Sequence, residues 1–565
     1  KTVDHGKYEL GASQLLEYFR EKASKNLPDF GAFEETIKLT DGKESATIAV
    51  ADSALKHVFK PNPAYGYYNF GKDIDWTFWP IKDNAFRWQL NRIRWWTDMS
   101  LVYYQTRDER YVREWMAQYL DWAMKNPRRK SADIDRFSWR SLEVSHRIMI
   151  QIPMFEIFIN SPNFTPDFLM SFLKIYYSQA NYLPQIFAPT GNIRLFGAQR
   201  SLLAGTSFPE FKNAAQWRKT AIGILSEEIN KQVYSDGLQN ELSAIYHVAT
   251  IETFLKAYRI AEKGGFGKEF PFDYKATIEK MIMAYVNFSF PDYNAPMFGD
   301  AWLTPKAVRL RQYQSWLADF PKNENIRYFA TDGKEGTAPA WLSKALPDGG
   351  FYTFRNAWRD PATVLILKAS PPATFHSQPD NGTFELWVNG RNFMPDAGSY
   401  VYDGDSAITV LRNWYRQTRV HNTLTLNNQN MVTANAKVTK WQVGTDLDVL
   451  SYTNPSYQSL QHQRSVIFVD KKYFLIIDQA IGAAQGQLGV HFALREDSAP
   501  IYDEQNKRVY TTYADGNNLL IQDFNNDKIA IVKEKGKVSY AYRKEVGRPM
   551  FAFEKAKTSA KTVTF

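Results

Sequence analysis

An imidazole, a phenol and a primary amide stand at three places in this chain where a side chain could act on a ligand. His376 follows the Pro371-Pro372 loop and precedes a strand-like run that ends at Asn389-Gly390, a strong hairpin turn signal. Tyr246 lies on or near a predicted helix, and Asn192 lies where another predicted helix begins. The position before a rigid sheet edge is a good mounting for a catalytic group, which singles out His376.

Each of these residues also has an ordinary structural explanation when taken alone. His376 fits a loop histidine, Asn192 a helix N-cap, and Tyr246 a core residue beside a satisfied His247. Together the three side chains match the needs of eliminative cleavage of a uronate polysaccharide. An amide stabilises the enolate-like dianion at the carboxylate, a base removes the C5 proton, and an acid protonates the O4 leaving oxygen. Histidine suits the base, and tyrosine suits the acid or both roles.

Composition narrows the function classes further. A length of 565 residues predicts two or more domains, and a hydrophobic fraction of 44% is ample for burial. The net charge of +9 favours an anionic partner, but the basic residues are interleaved with acidic ones and no nucleic-acid-binding motif is present. The absence of cysteine excludes disulfides and thiol catalysis. No apolar run reaches the length of a membrane span, and no signal peptide opens the chain at Lys1.

The periodicity of the sequence changes about two thirds of the way along. Apolar residues at helical spacing predict helices, one of which carries Tyr111, Trp115, Tyr119 and Trp122 on one face. Further helices are predicted over about 87–105, 140–160, 166–187, 193–206, 212–235, 242–263 and 273–289. After Gly349, short runs predict strands over about 350–356, 363–368, 383–388, 421–426, 465–469, 473–477 and 519–522. The expected fold is a helical toroid or solenoid, a linker at about 320–349, and an antiparallel β-sandwich.

Several ordered segments carry a resemblance to a known family. They are Gly66–Ile74, Trp139–Ser145, Gly191-Asn192, Ser243–His247, Ala295–Asp300 and Arg412–Arg419. Each is weak alone, but the ordered set resembles the heparin and heparan sulfate lyases, the heparinase III group in particular, over almost the whole chain. The resemblance implies an α+β multidomain protein. An incomplete (α/α) toroid at 1–335 would be followed by an antiparallel β-sandwich at 336–565, with the active site between them.

The same resemblance implies roles for individual residues. Asn192 would neutralise the uronate carboxylate, Tyr246 would be the catalytic acid and also a candidate base, and His376 would be the base or its partner. Substrate-binding candidates are Arg140, Arg194, His247, Trp139, Arg416 and Arg419. Arginine offers a bidentate fork to sulfate and carboxylate groups.

The family also tends to hold a divalent metal ion with a structural role. The candidate ligands here are Gln378, Asp396 and His421. Related lyases have a histidine where this chain has Gln378, and an amide oxygen suits calcium better than zinc. No organic cofactor is expected. A hydrogen-bonded cluster without metal is the alternative.

The expectation from sequence is therefore a monomeric bacterial lyase, periplasmic or secreted, that acts on heparan sulfate and binds neither nucleic acid nor a membrane. Three alternatives stay open. One is a lyase for another polyuronate such as alginate. Another is a glycoside hydrolase, for which Asp133, Asp135 and Glu143 could supply the two carboxylates. The third is a non-catalytic polysaccharide-binding protein.

Overall fold

The computed structural model describes residues 6–25, 44–373, 376–525 and 528–565 of the chain. Its internal contacts form two compact units. The first unit contains residues 1–228, 253–272 and 403–405, and the second contains 229–252, 273–402 and 406–565. A helical N-terminal region is followed by antiparallel sheets, as the sequence predicts.

Most of the helices in the described residues follow one another with short connections. They are α1 (Tyr8–Lys25), α2 (Glu44–Ala54), α3 (Asn84–Leu90), α4 (Trp95–Thr106), α5 (Glu109–Lys125), α6 (Ala132–Ser138), α7 (Ser141–Phe158), α8 (Pro166–Tyr182), α9 (Gly191–Ser207), α10 (Ala214–Gln232), α11 (Ala244–Lys263), α12 (Tyr274–Asn287), α13 (Lys306–Asp319), α14 (Glu324–Ala330) and α15 (Ser406–Tyr415). None of these helices combines the length and apolarity that a membrane span requires.

Helix α5 shows how sequence patterning builds the first unit. The Asp108 side chain caps its start by accepting from the Arg110 amide. The aromatic face predicted from the spacing is buried, with Trp115 and Tyr119 fully enclosed. The Trp115 ring lies 4.7 Å from the Phe158 ring of α7, centroid to centroid. Aromatic stacking therefore joins α5 to the next helices of this unit.

The predicted linker at 320–349 is partly wrong. Helix α14 occupies its first third because Asn323 caps the helix by accepting from the Ile326 amide. Ile326 and Phe329 are buried, which supplies the packing that the polar appearance of this stretch concealed. The preceding helix α13 was also not predicted.

The second unit contains most of the strands. They are β3 (Lys344–Leu346), β4 (Phe351–Arg355), β5 (Thr363–Lys368), β6 (Phe384–Val388), β7 (Arg391–Asn392), β8 (Leu424–Leu426), β9 (Lys437–Val443), β10 (Leu447–Tyr457), β11 (Leu460–Val469), β12 (Tyr473–Gly482), β13 (Gly486–Ala493), β14 (Ile501–Asp503), β15 (Arg508–Tyr510), β16 (Leu520–Gln522), β17 (Ala530–Ala541), β18 (Lys544–Lys557) and β19 (Val563–Thr564). A two-stranded sheet of β1 (Val58–Phe59) and β2 (Tyr68–Asn69) lies in the first unit.

The strands of the second unit pair antiparallel in four sheets. Their orders are β3-β4-β5-β6-β7, β19-β12-β11-β10-β9, β17-β18-β13-β8 and β14-β15-β16. One hydrophobic core takes side chains from all four, among them Leu365, Phe468, Phe551 and Val509. The hairpin predicted at Asn389-Gly390 is confirmed, with φ angles of 46° and 85°.

Strand β6 differs from the alternating pattern expected before that hairpin. Its first four residues, Phe384 to Trp387, are all buried. The strand pairs with β5 on one side and with β7 on the other, so it lies inside its sheet. Glu385 is accommodated there because its carboxylate accepts from the Met297 and Asp396 amides.

A buried arginine fixes two loops of the second unit. Arg464 of β11 is fully buried and donates from Nε and Nη2 to Asp478 of β12. Its Nη1 donates to the carbonyls of Gly382, at 2.5 Å, and Asn422, at 2.7 Å. A guanidinium that is planar and always charged suits such a four-way clamp. The clamp holds the chain shortly after the predicted site residue His376 and directly after His421.

Candidate functional site

Two of the three predicted catalytic side chains lie against each other in the second unit. The Tyr246 phenol ring and the His376 imidazole stack with their centroids 3.6 Å apart and their planes 15° apart. Tyr246 lies in the first turn of α11, whereas His376 lies in the loop between β5 and β6. The packing of the start of α11 against this loop therefore places the candidate acid Tyr246 beside the candidate base His376.

Asp300 fixes the orientation of the His376 ring. Its Oδ2 atom lies 2.8 Å from the Nδ1 atom of His376, and its side chain is fully buried. An ionised carboxylate can only accept, so Nδ1 carries the hydrogen and Nε2 keeps its lone pair. This arrangement prepares Nε2 to take up a proton. Glu241 lies 3.9 Å from Nε2 through its Oε2 atom, which is too long for a hydrogen bond.

Arg412 of α15 donates to the same carboxylate oxygen. Its Nη2 lies 2.8 Å from Asp300 Oδ2, and its Nη1 donates to the Val401 carbonyl. Burial alone would raise the pKa of Asp300, but the hydrogen bond from His376 and the charge of Arg412 lower it below its ordinary value. Asp300 is therefore ionised at neutral pH.

The backbone also ties His376 to the Asp300 segment. The Asp300 amide donates to the His376 carbonyl at 2.8 Å. Gly299 makes this approach possible with a φ of 70°, and a Cβ atom there would lie 2.2 Å from the same carbonyl oxygen. Residue 299 must be glycine for the loop to come this close.

A second tyrosine completes the cluster. The Tyr246 and Tyr402 hydroxyls lie 2.7 Å apart, and either can be the donor. Burial raises the pKa of Tyr246, an effect that the hydrogen bond from Tyr402 only partly offsets. Tyr246 is therefore a protonated phenol at neutral pH, with an exchangeable proton next to the imidazole.

Asp300, Arg412, Tyr402 and Glu241 received no role from the sequence. Asp300 and Arg412 both lie in segments that carry the family resemblance, at 295–300 and 412–419. Their place in those segments was the one sequence signal that could have identified Asp300 and Arg412 as site residues. The spacing of the two residues along the chain could not show that both lie beside the His376 imidazole. Tyr402 lies outside every such segment, and no signal in the sequence pointed to it.

The third predicted catalytic residue, Asn192, belongs to the first unit. It is buried in the first turn of α9. The expectation that Asn192 is the N-cap is wrong, because Thr190 occupies the cap position in extended conformation. Gly191 is the first residue of the helix and has a φ of 79°, a left-handed value that glycine adopts readily. The N-cap therefore lies at Thr190, two residues before the predicted position.

The predicted substrate-binding residues of the first unit have internal partners. Arg140 donates to both oxygens of Glu143 at 2.7 and 3.0 Å, and lies 3.8 Å from the Trp88 ring centroid. Trp139 is buried and donates to the Asn126 carbonyl. Arg194 donates to the Pro189 carbonyl at 2.7 Å, and its side chain is 24% exposed.

In the second unit, Arg416 and Arg419 both follow the end of α15 at Tyr415. Arg416 donates to the carbonyl of Ser377, the residue after His376, at 3.0 Å. Burial lowers its pKa. Arg419 donates to Gln417 at 2.8 Å. Arg416 is thus a cation beside the His376 loop.

His247 is placed in the packing of α11 and not on an open surface. It is 1% exposed, its Nδ1 accepts from the Gln239 amide, and its Nε2 donates to the Met281 carbonyl. Both ring nitrogens are used, so neither is left for a ligand. Burial lowers the pKa of His247 to about 4. The expected substrate-binding role does not match this environment.

The carboxylates proposed for a hydrolase are engaged in ion pairs or local turns. Glu143 is fully buried between Arg92 and Arg140. Asp133 accepts from Arg87 at 2.7 Å, and Asp135 accepts from the Arg129 amide. Glu143 and Asp133 are thus held in ion pairs with arginines, and Asp135 in a local turn, which gives each of them a structural role.

The three candidate metal ligands are each buried in the second unit. Asp396 Oδ2 lies 2.8 Å from His421 Nδ1, so the carboxylate orients the imidazole. The Nε2 atom of His421 and both amide atoms of Gln378 are buried, and no hydrogen-bond partner for them occurs among the described residues. Within the same part of the chain, no three His, Cys, Asp or Glu side chains converge as metal ligands. The unpaired donors are thus one imidazole nitrogen and one amide oxygen.

Comparison with known families covers both parts of the chain. Residues 1–328 match the family described as heparinase II/III N-terminus, and residues 338–551 match heparinase II/III-like, C-terminal. A heparin-sulfate lyase from Pedobacter heparinus is 57% identical over 565 residues, covering 100% of this chain and 86% of the relative. A heparin-sulfate lyase from Bacteroides stercoris is 44% identical, covering 99% of this chain and 86% of the relative.

The chain is also similar to solved structures of heparan sulfate lyase and heparinase III. A crystal structure of a heparan sulfate lyase from Pedobacter heparinus has 57% identity and a TM-score of 0.76, covering 100% of this chain and 88% of that one. A crystal structure of heparinase III has 30% identity and a TM-score of 0.93, covering 100% and 89%. The fold is therefore shared from end to end.

The buried His247 leads to a prediction about stability and pH. Its pKa of about 4 in the folded chain lies below the unfolded value of ~6.5. Its contribution is thus complete above about pH 6.5 and is lost as pH falls towards 4, by about 2 kcal/mol at pH 5. Urea unfolding of wild type and His247→Gln at pH 7 and pH 5 checks this, and the variant should show the flatter pH dependence. The control His57→Gln retains His247 and should stay steep; equal slopes in wild type and His247→Gln would contradict the assignment.

Proposed function

The chain belongs to the heparinase II/III family, and from this premise we propose that it is a heparan sulfate lyase. It cleaves the polysaccharide at uronic acids by β-elimination and leaves 4,5-unsaturated uronate ends. The observation that carries the chemical part of the proposal is the stack of Tyr246 on His376, with Asp300 on the far ring nitrogen. Elimination needs one base and one acid close together, and this cluster offers both.

In the proposed reaction His376 is the base. Its Nε2 lone pair takes the proton from C5 of the uronate, and the C5–H electron pair moves to form the C4–C5 double bond. The imidazolium that results is stabilised by the ionised Asp300, which already accepts from Nδ1. Arg412 keeps Asp300 ionised through the cycle and holds it in place.

Tyr246 is the acid in the same step. As the C4–O4 bond breaks, its hydroxyl gives a proton to the leaving oxygen, so one proton is taken up and one released. The raised pKa of Tyr246 supports this assignment, because burial keeps the phenol protonated until the alkoxide develops. The raised pKa also disfavours Tyr246 as the base, because a base would have to be deprotonated before the reaction. Tyr402, 2.7 Å away, can stabilise the phenolate by donating to it.

Asn192 is proposed to neutralise the uronate carboxylate. An uncharged amide donor can hydrogen-bond the dianion that forms when C5 loses its proton. This role rests on the family resemblance. Arg416, beside the His376 loop, and Arg419 are proposed to bind sulfate or carboxylate groups of the polymer.

The finer architecture is also a proposal. Successive helices with short connections support an incomplete (α/α) toroid, and one core shared by four antiparallel sheets supports a β-sandwich. A crystal structure of the chain tests both.

A divalent metal ion is proposed for the His421 group. His421 Nε2 and Gln378 Oε1 would bind it, and Asp396 would orient His421 from the second nitrogen, as carboxylates do in zinc sites. The imidazole favours zinc and the amide oxygen a harder ion, so the donor set leaves the element open. The ion would have a structural role, fixing the segment that begins β8 against the loop after His376.

Substitution of Tyr246 tests the reaction. Incubation with heparan sulfate should produce the ultraviolet absorbance of a conjugated unsaturated uronate, and Tyr246→Phe should lower the rate by about 10²–10⁴-fold because the leaving oxygen loses its proton donor. Asn192→Ala should lower the rate in the same assay. Tyr285→Phe, a buried tyrosine outside the cluster, is the control. Chain shortening without absorbance would mean hydrolysis, no change of either kind would favour a binding protein, and activity on alginate alone would change the substrate.

The substitution Asp300→Asn tests whether Asp300 acts by fixing the tautomer of His376. An asparagine can donate to Nδ1 and so favour the wrong tautomer, in which Nε2 carries the hydrogen. We expect kcat to fall by about 10²-fold or more, while KM changes little. Steady-state kinetics together with nitrogen NMR of the imidazole check this. An unchanged tautomer combined with full activity would contradict the role of Asp300.

Chelation tests the metal. Elemental analysis should find about one divalent ion per chain, and a chelator should lower the Tm of wild type because the ion binds only the folded chain. His421→Ala should abolish both the ion and the effect of the chelator. A metal-free protein whose Tm does not respond to chelator or added ions would show a hydrogen-bonded cluster without metal.

A further inference from the structure

The first unit contains a cavity of about 530 Å³ near α1 and a second of about 480 Å³ between the C-terminal halves of four helices. The second cavity is enclosed by α1, α7, α9 and α11. Its charged lining residues are Lys22, Arg200, Lys256, Arg259, Lys263 and Glu156. Lys22 is paired with Glu210 at 2.6 Å. The other four cations outnumber the one lining carboxylate and give the cavity a positive potential, which a concave wall of low dielectric focuses on a bound ligand.

Arg200 lines the cavity and carries one of these positive charges. Its Nη2 contacts the Met149 sulfur at 3.2 Å, and its guanidinium lies 5.3 Å from the Phe196 ring. Among the described residues it has no carboxylate within ion-pair distance. Burial lowers the pKa of Arg200 to about 10, so it remains charged at neutral pH. Arg200 is half-buried, and its guanidinium fork is suited to an oxyanion that enters the cavity.

The cationic wall continues along α7 towards its start. His146, one turn before Met149, is held neutral: burial first, and then the charges of Arg92, Arg94, Arg200 and Arg140, lower its pKa well below its ordinary value. Arg92 and Arg140 are paired with Glu143, so their charges are offset there.

The rest of the wall can take a sugar ring. Ile152, Pro153 and Leu203 provide apolar surface, and Pro153 lies inside α7. Because proline has no N–H, the carbonyl of Met149 loses its helical donor and is left to accept from another group. The volume of about 480 Å³ is in the range of small-molecule sites.

We propose that this cavity is a second saccharide site, which binds a sulfated sugar unit through Arg200, apart from the Tyr246–His376 cluster. The proposal takes its ligand class from the lyase function, but its contacts are with other residues. An oxyanion here would neutralise Arg200 and accept further hydrogen bonds from Lys263 or its basic neighbours. Occupancy would thus stabilise the first unit.

The test is binding to a chain that cannot turn substrate over. In a Tyr246→Phe background, a sulfated heparan disaccharide should raise Tm and bind by calorimetry, whereas the unsulfated disaccharide should not. Arg200→Met should raise the Tm of the ligand-free chain, because a half-buried charge without a carboxylate partner is removed, and should weaken the cavity binding at least tenfold. A purely structural arginine would instead lower the ligand-free Tm when replaced. Lys263→Gln is the second variant, and Arg110→Met, an exposed arginine paired with Asp108, controls for net charge.

The outcomes separate this proposal from the lyase. Unchanged disaccharide binding in both cavity variants would overturn it, whatever the lyase assay gives. Equal stabilisation by inorganic sulfate and by the disaccharide would reduce the cavity to an ion site and overturn the saccharide assignment. Loss of binding in Arg200→Met and Lys263→Gln, with binding kept in Arg110→Met, would support it even if no elimination were detected.

Discussion

The buried Asp300 carboxylate is the constraint on which the candidate site depends. A carboxylate removed from water is stable only if its charge is paired and hydrogen-bonded, and here one oxygen receives both His376 and Arg412. The same contacts fix the imidazole tautomer and attach helix α15 to the His376 loop. Loss of any member would leave an uncompensated group in the interior.

Sequence patterns predicted the elements better than the contacts between them. The buried face of α5 followed from its helical periodicity, and the strand at Thr363–Lys368 followed from its run of apolar and β-branched residues. Helix α14 was missed because its polar sequence becomes helical through the Asn323 cap and tertiary packing, and α13 because it depends on the burial of Tyr313 and Trp316. The boundary at Asn192 was displaced because glycine at 191 opens the helix.

In the candidate site, too, individual residues were predicted better than the contacts between them. Residue chemistry and family resemblance singled out Tyr246 and His376, which the fold brings into ring contact. Neither could identify Tyr402, since its hydroxyl meets that of Tyr246 across 156 residues of sequence. His247 illustrates the opposite error: it is adjacent in sequence to a candidate acid, yet helix geometry turns its ring into the core.

Gly299 has a consequence for mutational scanning. Its side-chain hydrogen faces the His376 carbonyl, where even a methyl group would collide, so almost any codon change at this position should displace the imidazole. A screen scored on activity alone would rank it with the acid and base, although it has no group that could exchange a proton. In such a map, intolerance at a glycine marks the route of the backbone, and only a structure distinguishes it from chemistry.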